Sequence, residues 1–480
     1  MEETQRLDKL NKLKQLKINP YPYKFEKTHQ SKEILDNASK IKKPVSIAGR
    51  LVTIRNMGKA SFAHIQDEAG KIQIYLKEDI LKKNYEIFKD LIDIGDIIGV
   101  KGPIFKTKTG ETTVEAKEIE ILTKSIRPIP EKFHGLIDTE IRYRKRYLDL
   151  ISNPEVKGIF IKRTRIIKLI REYLDKNQFI EVEIPTLQST YGGASAKPFK
   201  TYVNSLNKEV YLSISPELHL KRLVVGGFEK VYTICKNFRN EDIDTTHNPE
   251  FTMLEFYYAY ANYEKLMEMT EELIPKLAKE INKDYNVKIG NKTINFKPPF
   301  KKIKFREFIL KETGIDIDKS RDFETLKKEI IKKNIHGVDI KDAKHYGALM
   351  DELYKKVCKP NIIQPTFLTH YPVEMIALAK RNEKDPTKIN TFQLLIDGSE
   401  IVKAYDELND PQDQRRRLEE QQKFLKKGDQ EAMPFDEDFL EALEVGLPPT
   451  AGYGLGIDRL TMLLTGNESI KEVIFFPLMK

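Results

Sequence analysis

Only two cysteines, Cys235 and Cys358, occur in 480 residues. A pair so far apart cannot build a disulfide framework or a zinc ribbon, so a reducing compartment is expected. No run approaches the ~20 apolar residues that a membrane helix needs. The opening "MEETQRLDKLNKLKQLKI" places leucines at 7, 10, 13 and 16 but interrupts them throughout with charge, leaving no apolar core of signal-peptide type. The chain therefore reads as soluble and cytoplasmic. An excess of acid is missing too: Lys plus Arg outnumber Asp plus Glu by 82 to 73, a formal +9. That balance suits a polyanionic partner without requiring one.

The length predicts two or three domains. Residues 1–40 read as a basic helical extension whose first helix ends at "NPYPYKF", because Pro20 and Pro22 cannot continue it. Across 41–125 the period changes to two. "VSIAGRLVTIR", "SFAHIQD", "KIQIYLK", "DIIGVKGPIFKT" and "TTVEAKEIEIL" are strand-like, with "MGKA", "EAG" and "KTG" as turns. A helix, "DILKKNYEIFKDLI", falls after the third. Five short strands with that helix fit an OB-fold β-barrel. Arg55, Phe62 and Gln73 would add to it a cation, a stacking platform and an amide able to read a base edge.

Residues 126–156 read as a linker with an Arg- and Tyr-bearing solvated helix, and 157–480 as the larger domain. Within it, an amphipathic helix precedes a strand expected to stop at Pro185. A lysine-rich helical insertion is expected at about 263–360, strands near 366–371 and 391–403, and a glycine-rich strand running into a helix in "TAGYGLGIDRLTMLLTG". The glycines at 452, 454 and 456 do not form a dinucleotide fingerprint; close backbone approach in a strand is the better physical reading.

The stretch "NFRNEDIDTTHNPEFTMLEFYYAY" at 237–260 is unusual in mixing charge with aromatics. Read as strand, polar loop and returning strand, it aims Arg239 and Glu241 at one face, and Glu255 and Tyr257 likewise, because strand side chains alternate. That is the pattern of the floor and lip of a binding site.

Three segments, "FIEVEIPTL", "FRNEDIDTTHNPEFTMLEF" and "GYGLGIDRL", resemble the signature motifs of class II aminoacyl-tRNA synthetases. "YGGASAKPF", "SPELHLKRLVVGGFEKVY", "YPVEMIALAKR", "ELNDPQDQRRR" and "ALEVGLPPTAGYGLGIDRL" resemble the lysyl members, and "NMGKASFAHIQDEAGKIQIY" with "FKTKTGE" their anticodon-binding barrel. The resemblance implies an α+β chain: an OB-fold joined to a six- or seven-stranded antiparallel sheet flanked by helices, assembled as a homodimer. It implies ATP-dependent activation of L-lysine and its transfer to tRNA(Lys), with Mg²⁺ as cofactor.

By the same resemblance, Arg239 and Arg459 are catalytic. ATP would be held by Arg239, Glu241, His247, Asn248, Phe251, Glu400 and Arg459, with Phe251 and Arg459 on the two faces of the adenine. Glu217 and Glu407 would meet the lysine ε-ammonium, Tyr257 and Tyr405 its aliphatic stem, and Glu255 its α-amino group. Arg55, Phe62, Gln73 and Glu111 would contact the anticodon. Glu400 would ligate Mg²⁺, whereas a neutral Gln393 stands where the family has a second carboxylate. Lys403 and Asp406 also depart, since the family usually has a small residue or Asn, and Ser or Thr, at these positions; Asp406 is the expected neutraliser of Lys403. Two other readings stay open: an aspartyl- or asparaginyl-tRNA synthetase, and a synthetase-like binding or regulatory protein with an impaired site.

Overall fold

A computed structural model describes residues 2–130, 136–341 and 343–479. Residues 131–135, inside the expected linker, lie outside the described residues. The chain divides into two compact units, 1–137 and 138–480.

The first unit is a curved sheet of seven strands: β1 (Val45–Asn56), β2 (Ala60–Gln66), β3 (Lys71–Lys77), β4 (Ile97–Gly102), β5 (Ile104–Lys106), β6 (Thr112–Glu115) and β7 (Glu118–Thr123), in the order β5-β6-β3-β2-β1-β4-β7. Five strands were expected. The fourth is divided at Pro103, which has no N–H to give a ladder, and the fifth at Ala116–Lys117. The expected helix between the third and fourth strands is there as two short pieces, Glu78–Leu81 and Lys83–Leu91. Bonds from Glu115 N–H to Pro103 O (2.9 Å) and Lys117 N–H to Lys101 O (2.8 Å) bring the β6 end back to the β4–β5 junction, so the sheet curls around its core. β2 alternates faithfully: Ser61, Ala63 and Ile65 are buried, Phe62, His64 and Gln66 only partly so.

In the second unit, β8 (Ile180–Glu181), β9 (Leu187–Gln188), β10 (Lys200–Val203) and β11 (Lys208–Leu212) are short. The long strands are β12 (Lys230–Phe238) and β13 (Glu250–Ala259). There follow β14 (Asn286–Ile289), β15 (Lys292–Asn295), β16 (Lys301–Lys304), β17 (Thr366–Thr369), β18 (Thr391–Ile396), β19 (Ser399–Asp406) and β20 (Thr450–Gly456). The main sheet has eight strands in the order β16-β17-β18-β19-β20-β13-β12-β8. Its interior is antiparallel, as expected, while each edge strand, β16 and β8, pairs parallel with its neighbour.

One face packs on the helices Pro154–Lys176, Tyr263–Asn282 and Ile457–Leu464 through residues such as Leu254, Phe256, Val402 and Leu455. The other carries Tyr257, Tyr405, Leu368 and Leu395 against Glu217–Val225, Phe305–Thr313, Tyr346–Leu353 and Glu437–Gly446.

Local chemistry accounts for several departures from expectation. The strand expected at 391–403 is a hairpin, because Asp397 (φ 48°) and Gly398 (φ 68°) form a two-residue turn with both φ positive. The strand before Pro185 is only Ile180–Glu181. The insertion at 263–360 is not purely helical: it supplies the β14–β15 hairpin and the sheet edge β16. The Arg- and Tyr-bearing helix expected to be solvated is instead packed. Arg146 is fully buried, paired to Asp149 at 2.6 Å, and donates to the carbonyls of Lys471 and Phe475.

Candidate active site

The second face of the main sheet forms the floor of a cavity of about 1000 Å³. Pairing aligns residues in rows across it. Glu255, Gly454 and Lys403 form one row, and Tyr257, Gly452 and Tyr405 the next. With ~4.8 Å between strands, the side chains flanking each glycine stand about 10 Å apart, leaving a trough over bare backbone. The glycines are needed for this. A Cβ on Gly452 would lie 2.0 Å from Glu407 Oε1 and 2.8 Å from Tyr257 Cε1.

Every residue expected at the lysine and nucleotide ends lines this cavity: Glu217, Arg239, Glu241, His247, Asn248, Phe251, Glu255, Tyr257, Gln393, Glu400, Tyr405, Glu407 and Arg459.

At one end Glu217, Glu407, Tyr257 and Tyr405 are all buried. Tyr405 Oη donates to Glu217 at 2.8 and 2.9 Å. The sequence reading missed Lys221. Fully buried, it sits one helical turn after Glu217 in Glu217–Val225, 2.7 Å from Glu217 Oε1, and is also ion-paired with Glu407 Oε2. The i,i+4 spacing in "ELHLK" is the signal that could have revealed it. Burial alone would lower the Lys221 pKa, but Glu217 and Glu407 hold it above the ordinary lysine value, so it stays charged. Glu217 and Glu407 are thus not two free carboxylates awaiting a ligand: Lys221 already pairs with both, and burial, with the Glu217 carboxylate, pushes the Glu407 carboxyl well above its ordinary value in spite of Lys221. The buried Glu407 Oε1 receives no hydrogen bond. Nearer the middle, Glu255 accepts from Ser215 Oγ at 2.9 Å. Burial first, then the Glu217 carboxylate, push Glu255 up to about 8.

At the other end β12 stops at Phe238, so Arg239 and Glu241 lie in the loop and not on the strand face expected of them. Arg239 N–H still donates to Pro249 O at 2.8 Å, and its guanidinium covers Phe251, 5.1 Å from the ring centroid. One face of Phe251 thus carries the Arg239 cation. Glu241 is exposed at the rim, and the buried Asn248 donates to Glu250 O at 2.6 Å while its Oδ1 lacks a partner.

Arg459, third residue of the helix Ile457–Leu464, donates to Thr246 O (3.3 Å), Glu400 O (3.2 Å) and His247 Nε2 (2.8 Å). Since guanidinium can only donate, His247 accepts at Nε2 and carries its proton on Nδ1, which faces Asp244 at 2.8 Å. Burial, then Arg459, lower the His247 pKa and keep it neutral. His247 therefore positions Arg459, a firmer role than that of a solvated loop histidine.

The metal ligand set is thin. Glu400 is one carboxylate, held low against burial by Lys403, Lys359, Arg459 and Lys355. Gln393 is buried, and its Oε1 already accepts from Tyr354 Oη (2.9 Å) and Tyr371 Oη (2.7 Å). Among the described residues no group of three or more His, Cys, Asp or Glu is placed to hold a metal. The residues fit a divalent cation that brings most of its ligands from a nucleotide and takes Glu400 from the protein. They do not fit a two-carboxylate site. Asp406 does not neutralise Lys403: it accepts from Tyr263 N–H (2.6 Å) and Asn390 Nδ2 (2.8 Å).

In the first unit, β pairing places Arg55 opposite Phe62, Phe62 opposite Tyr75, and His64 opposite Gln73. Phe62 stacks on Tyr75 with centroids 4.4 Å apart, and Phe105 lies 5.9 Å beyond. Glu111 accepts from Gln73 Nε2 (2.7 Å) and faces His64 Nε2 at 2.9 Å. Arg55, Phe62 and Glu111 lie on one outer face and Phe62 is not core, whereas Gln73 is buried with its amide oxygen also accepting from Thr113 Oγ1 at 2.7 Å, so it is not the open amide expected. Tyr75, His64 and Phe105 were missed, although Tyr75 follows Gln73 at strand spacing.

The family described as tRNA synthetases class II (D, K and N) matches residues 138–480, and that described as OB-fold nucleic acid binding domain matches 45–122. Curated relatives extend over nearly the whole chain. A "Lysine--tRNA ligase" from Pelotomaculum thermopropionicum is 50% identical over 477 residues, covering 99% of this chain and 94% of the relative. One of that name from Bacillus subtilis is 47% identical over 484 residues, covering 99% and 96%. A "Lysine--tRNA ligase 2" from Methanosarcina mazei is 48% identical over 480 residues, covering 99% and 93%. With both the sheet motifs and the full length matched, the chain belongs to the class II aminoacyl-tRNA synthetases of the D, K and N group.

Proposed function

We propose that this chain activates L-lysine with ATP to lysyl-adenylate and transfers the lysyl group to tRNA(Lys). The observation that carries the lysine assignment is the buried trio at the closed end. Two carboxyl groups, Glu217 and Glu407, share the single cation Lys221, so a substrate ammonium adds the charge partner that the pair lacks, and Glu407 Oε1 is a buried acceptor with no donor of its own. An aspartate carboxylate entering there would meet two further carboxyl groups, and an asparagine amide would bring no cation to them; each is disfavoured by ~1–3 kcal/mol per unmet partner, and by more where charge is involved.

The lysine stem would lie beside Tyr257 and Tyr405, with its ε-ammonium at Glu407, whose carboxyl stands over Gly452, and its α-ammonium at Glu255. Its carboxylate is then directed to the arginine end of the trough. A carboxylate oxygen attacks the α-phosphorus of ATP, the bond from phosphorus to the bridging oxygen of the β-phosphate breaks, and pyrophosphate leaves with that electron pair. A carboxylate is already an anion at neutral pH, so no general base is needed, and the protein contributes position and charge. Arg239 would hold the α-phosphate oxygens as charge builds, and Arg459, oriented by His247, the γ-phosphate. Glu241 would accept from the adenine amino group. A bound Mg²⁺, held by Glu400 and the phosphate oxygens, would supply further neutralisation of the leaving pyrophosphate. A terminal ribose hydroxyl of tRNA then attacks the lysyl carbonyl, and AMP departs.

The outer face bearing Arg55, Phe62, Tyr75 and Glu111 suits single-stranded anticodon bases, which stack on accessible rings. A homodimer is part of the reading, supported by the exposed apolar Ile180, Leu187, Tyr202 and Leu206.

Lysine-dependent exchange of pyrophosphate into ATP tests the reading. Exchange with lysine, and none with aspartate or asparagine, is expected. Binding of lysine and ATP without exchange would instead indicate a synthetase-like binding protein.

A further inference from the structure

Lys403 stands in an unusual place. It lies directly opposite Gln393 on β18, and across Gly454 from Glu255. Glu400, three residues earlier on β19, would normally face away. A bulge prevents this: Leu394 pairs with Val402 but Leu395 pairs with Glu400, leaving Ile401 as the extra residue. Glu400, Lys403 and Gln393 consequently all point into the cavity, where Lys355 and Lys359 join them. Lys355 is paired with Asp351 at 2.7 Å, whereas neither Lys359 nor Lys403 has a carboxylate within 4.0 Å among the described residues. The amide oxygen of Gln393 is committed to Tyr354 and Tyr371. Four residues of strand separate Lys403 from Glu407, about 13 Å, so this cation is remote from the ammonium end, and its charge acts on Glu400, whose backbone carbonyl accepts from Arg459.

Resting on the assignment of this cavity to ATP and lysine, we propose that Lys403, backed by Lys359, supplies from the protein itself the positive charge at the reacting phosphates that a cation bound between Gln393 and Glu400 would otherwise bring. Gln393 then serves as a neutral spacer fixed by two tyrosines, and Glu400 remains the single carboxylate available to a nucleotide-borne metal.

The test is nucleotide binding without metal. Calorimetry with an ATP analogue carrying a methylene bridge between the α- and β-phosphates, in EDTA and then in excess Mg²⁺, is run on the full chain and on the variants K403M, K403R and Q393E. The unsubstituted chain should bind in EDTA within about tenfold of its affinity in Mg²⁺. K403M should weaken binding in EDTA by about tenfold or more, as expected for loss of a unit charge near a phosphate in a partly buried site, and by less in Mg²⁺. K403R should restore binding in EDTA, which separates lost charge from lost fold, with thermal melting as a second control. Q393E, by adding an anion beside Lys403, should weaken binding in EDTA and strengthen the response to Mg²⁺. Equal affinity of K403M and the unsubstituted chain in EDTA would overturn the proposal while leaving the synthetase assignment intact. Absence of analogue binding under both conditions would instead remove the nucleotide assignment on which it rests.

Discussion

Glu255 makes the lysine site a proton-linked one. Its carboxyl is pushed up to about 8 by burial and by the Glu217 carboxylate, against the single Ser215 hydroxyl bond. With that value, about 90% of the free protein carries a proton on Glu255 at pH 7. An α-ammonium needs the ionised form, so binding lysine expels close to one proton. The apparent affinity follows the ionised fraction, about 1% at pH 6 and 50% at pH 8, so lysine should bind about 50-fold more tightly at pH 8 than at pH 6. Above that range the α-amino group of free lysine begins to lose its own proton and the gain levels off. Calorimetry of lysine binding at pH 7 in two buffers of different ionisation enthalpy measures the release directly, with about 0.9 protons expected from Glu255 in addition to any from the raised Glu407 carboxyl. Glu255→Gln should lower the release by that amount and reduce the rise between pH 6 and 8. Release near zero in the unsubstituted chain, or a Glu255→Gln variant that retains the rise, would refute the placement of the α-ammonium on Glu255. The linkage also has a sign for the unliganded fold. Because the acid is raised in the folded state, its contribution to stability is lost as pH rises from 4.5 towards 8, so thermal stability in that interval should fall less in Glu255→Gln.

Gly452→Ala places a methyl 2.0 Å from Glu407 Oε1 and so displaces that carboxyl; lysine KM should rise by at least tenfold with the KM for ATP little changed, as read by pyrophosphate exchange, and an unchanged lysine KM would mean that Glu407 does not meet the ε-ammonium from this position. Glu407→Gln removes one of the two carboxyl groups that share Lys221, so exchange should show a tenfold or greater rise in lysine KM while ATP binding holds. Phe62→Ala removes a ring stacked on Tyr75 at the outer face. It should leave exchange near normal and reduce aminoacylation kcat/KM by about 10- to 100-fold, the equivalent of ~1–3 kcal/mol of base stacking; a collapse of both reactions together with the melting temperature would return Phe62 to a structural role.

What the residues determined on their own is mostly local. Alternation in "SFAHIQ" and "EFTMLEFYYA" identified strands, and the run of glycines in "GYGLG" announced a bare stretch of backbone. Two features were legible in the sequence and overlooked: the Asp397–Gly398 turn that splits the predicted strand, and the Glu217–Lys221 helical pair. Other features depended on contacts between distant segments. Period-two alternation shows which residues of a strand share a face, but not which face is buried, so the exposure of Phe62 waited on the packing of Ala63 and Ile65 into the core. A bulge reverses that parity without leaving a mark in composition, and only the pairing of β18 with β19 turned Glu400 to the same side as Lys403. Gln393 was identified by its position in the family pattern, but its isolation from metal came from Tyr354 and Tyr371, brought to it by tertiary folding. Charge type and spacing are properties of a segment; the neutrality of His247 and the raised pKa of Glu255 come from burial and from partners far away along the chain, and Lys221 keeps its charge through Glu407 as well as its helical neighbour Glu217.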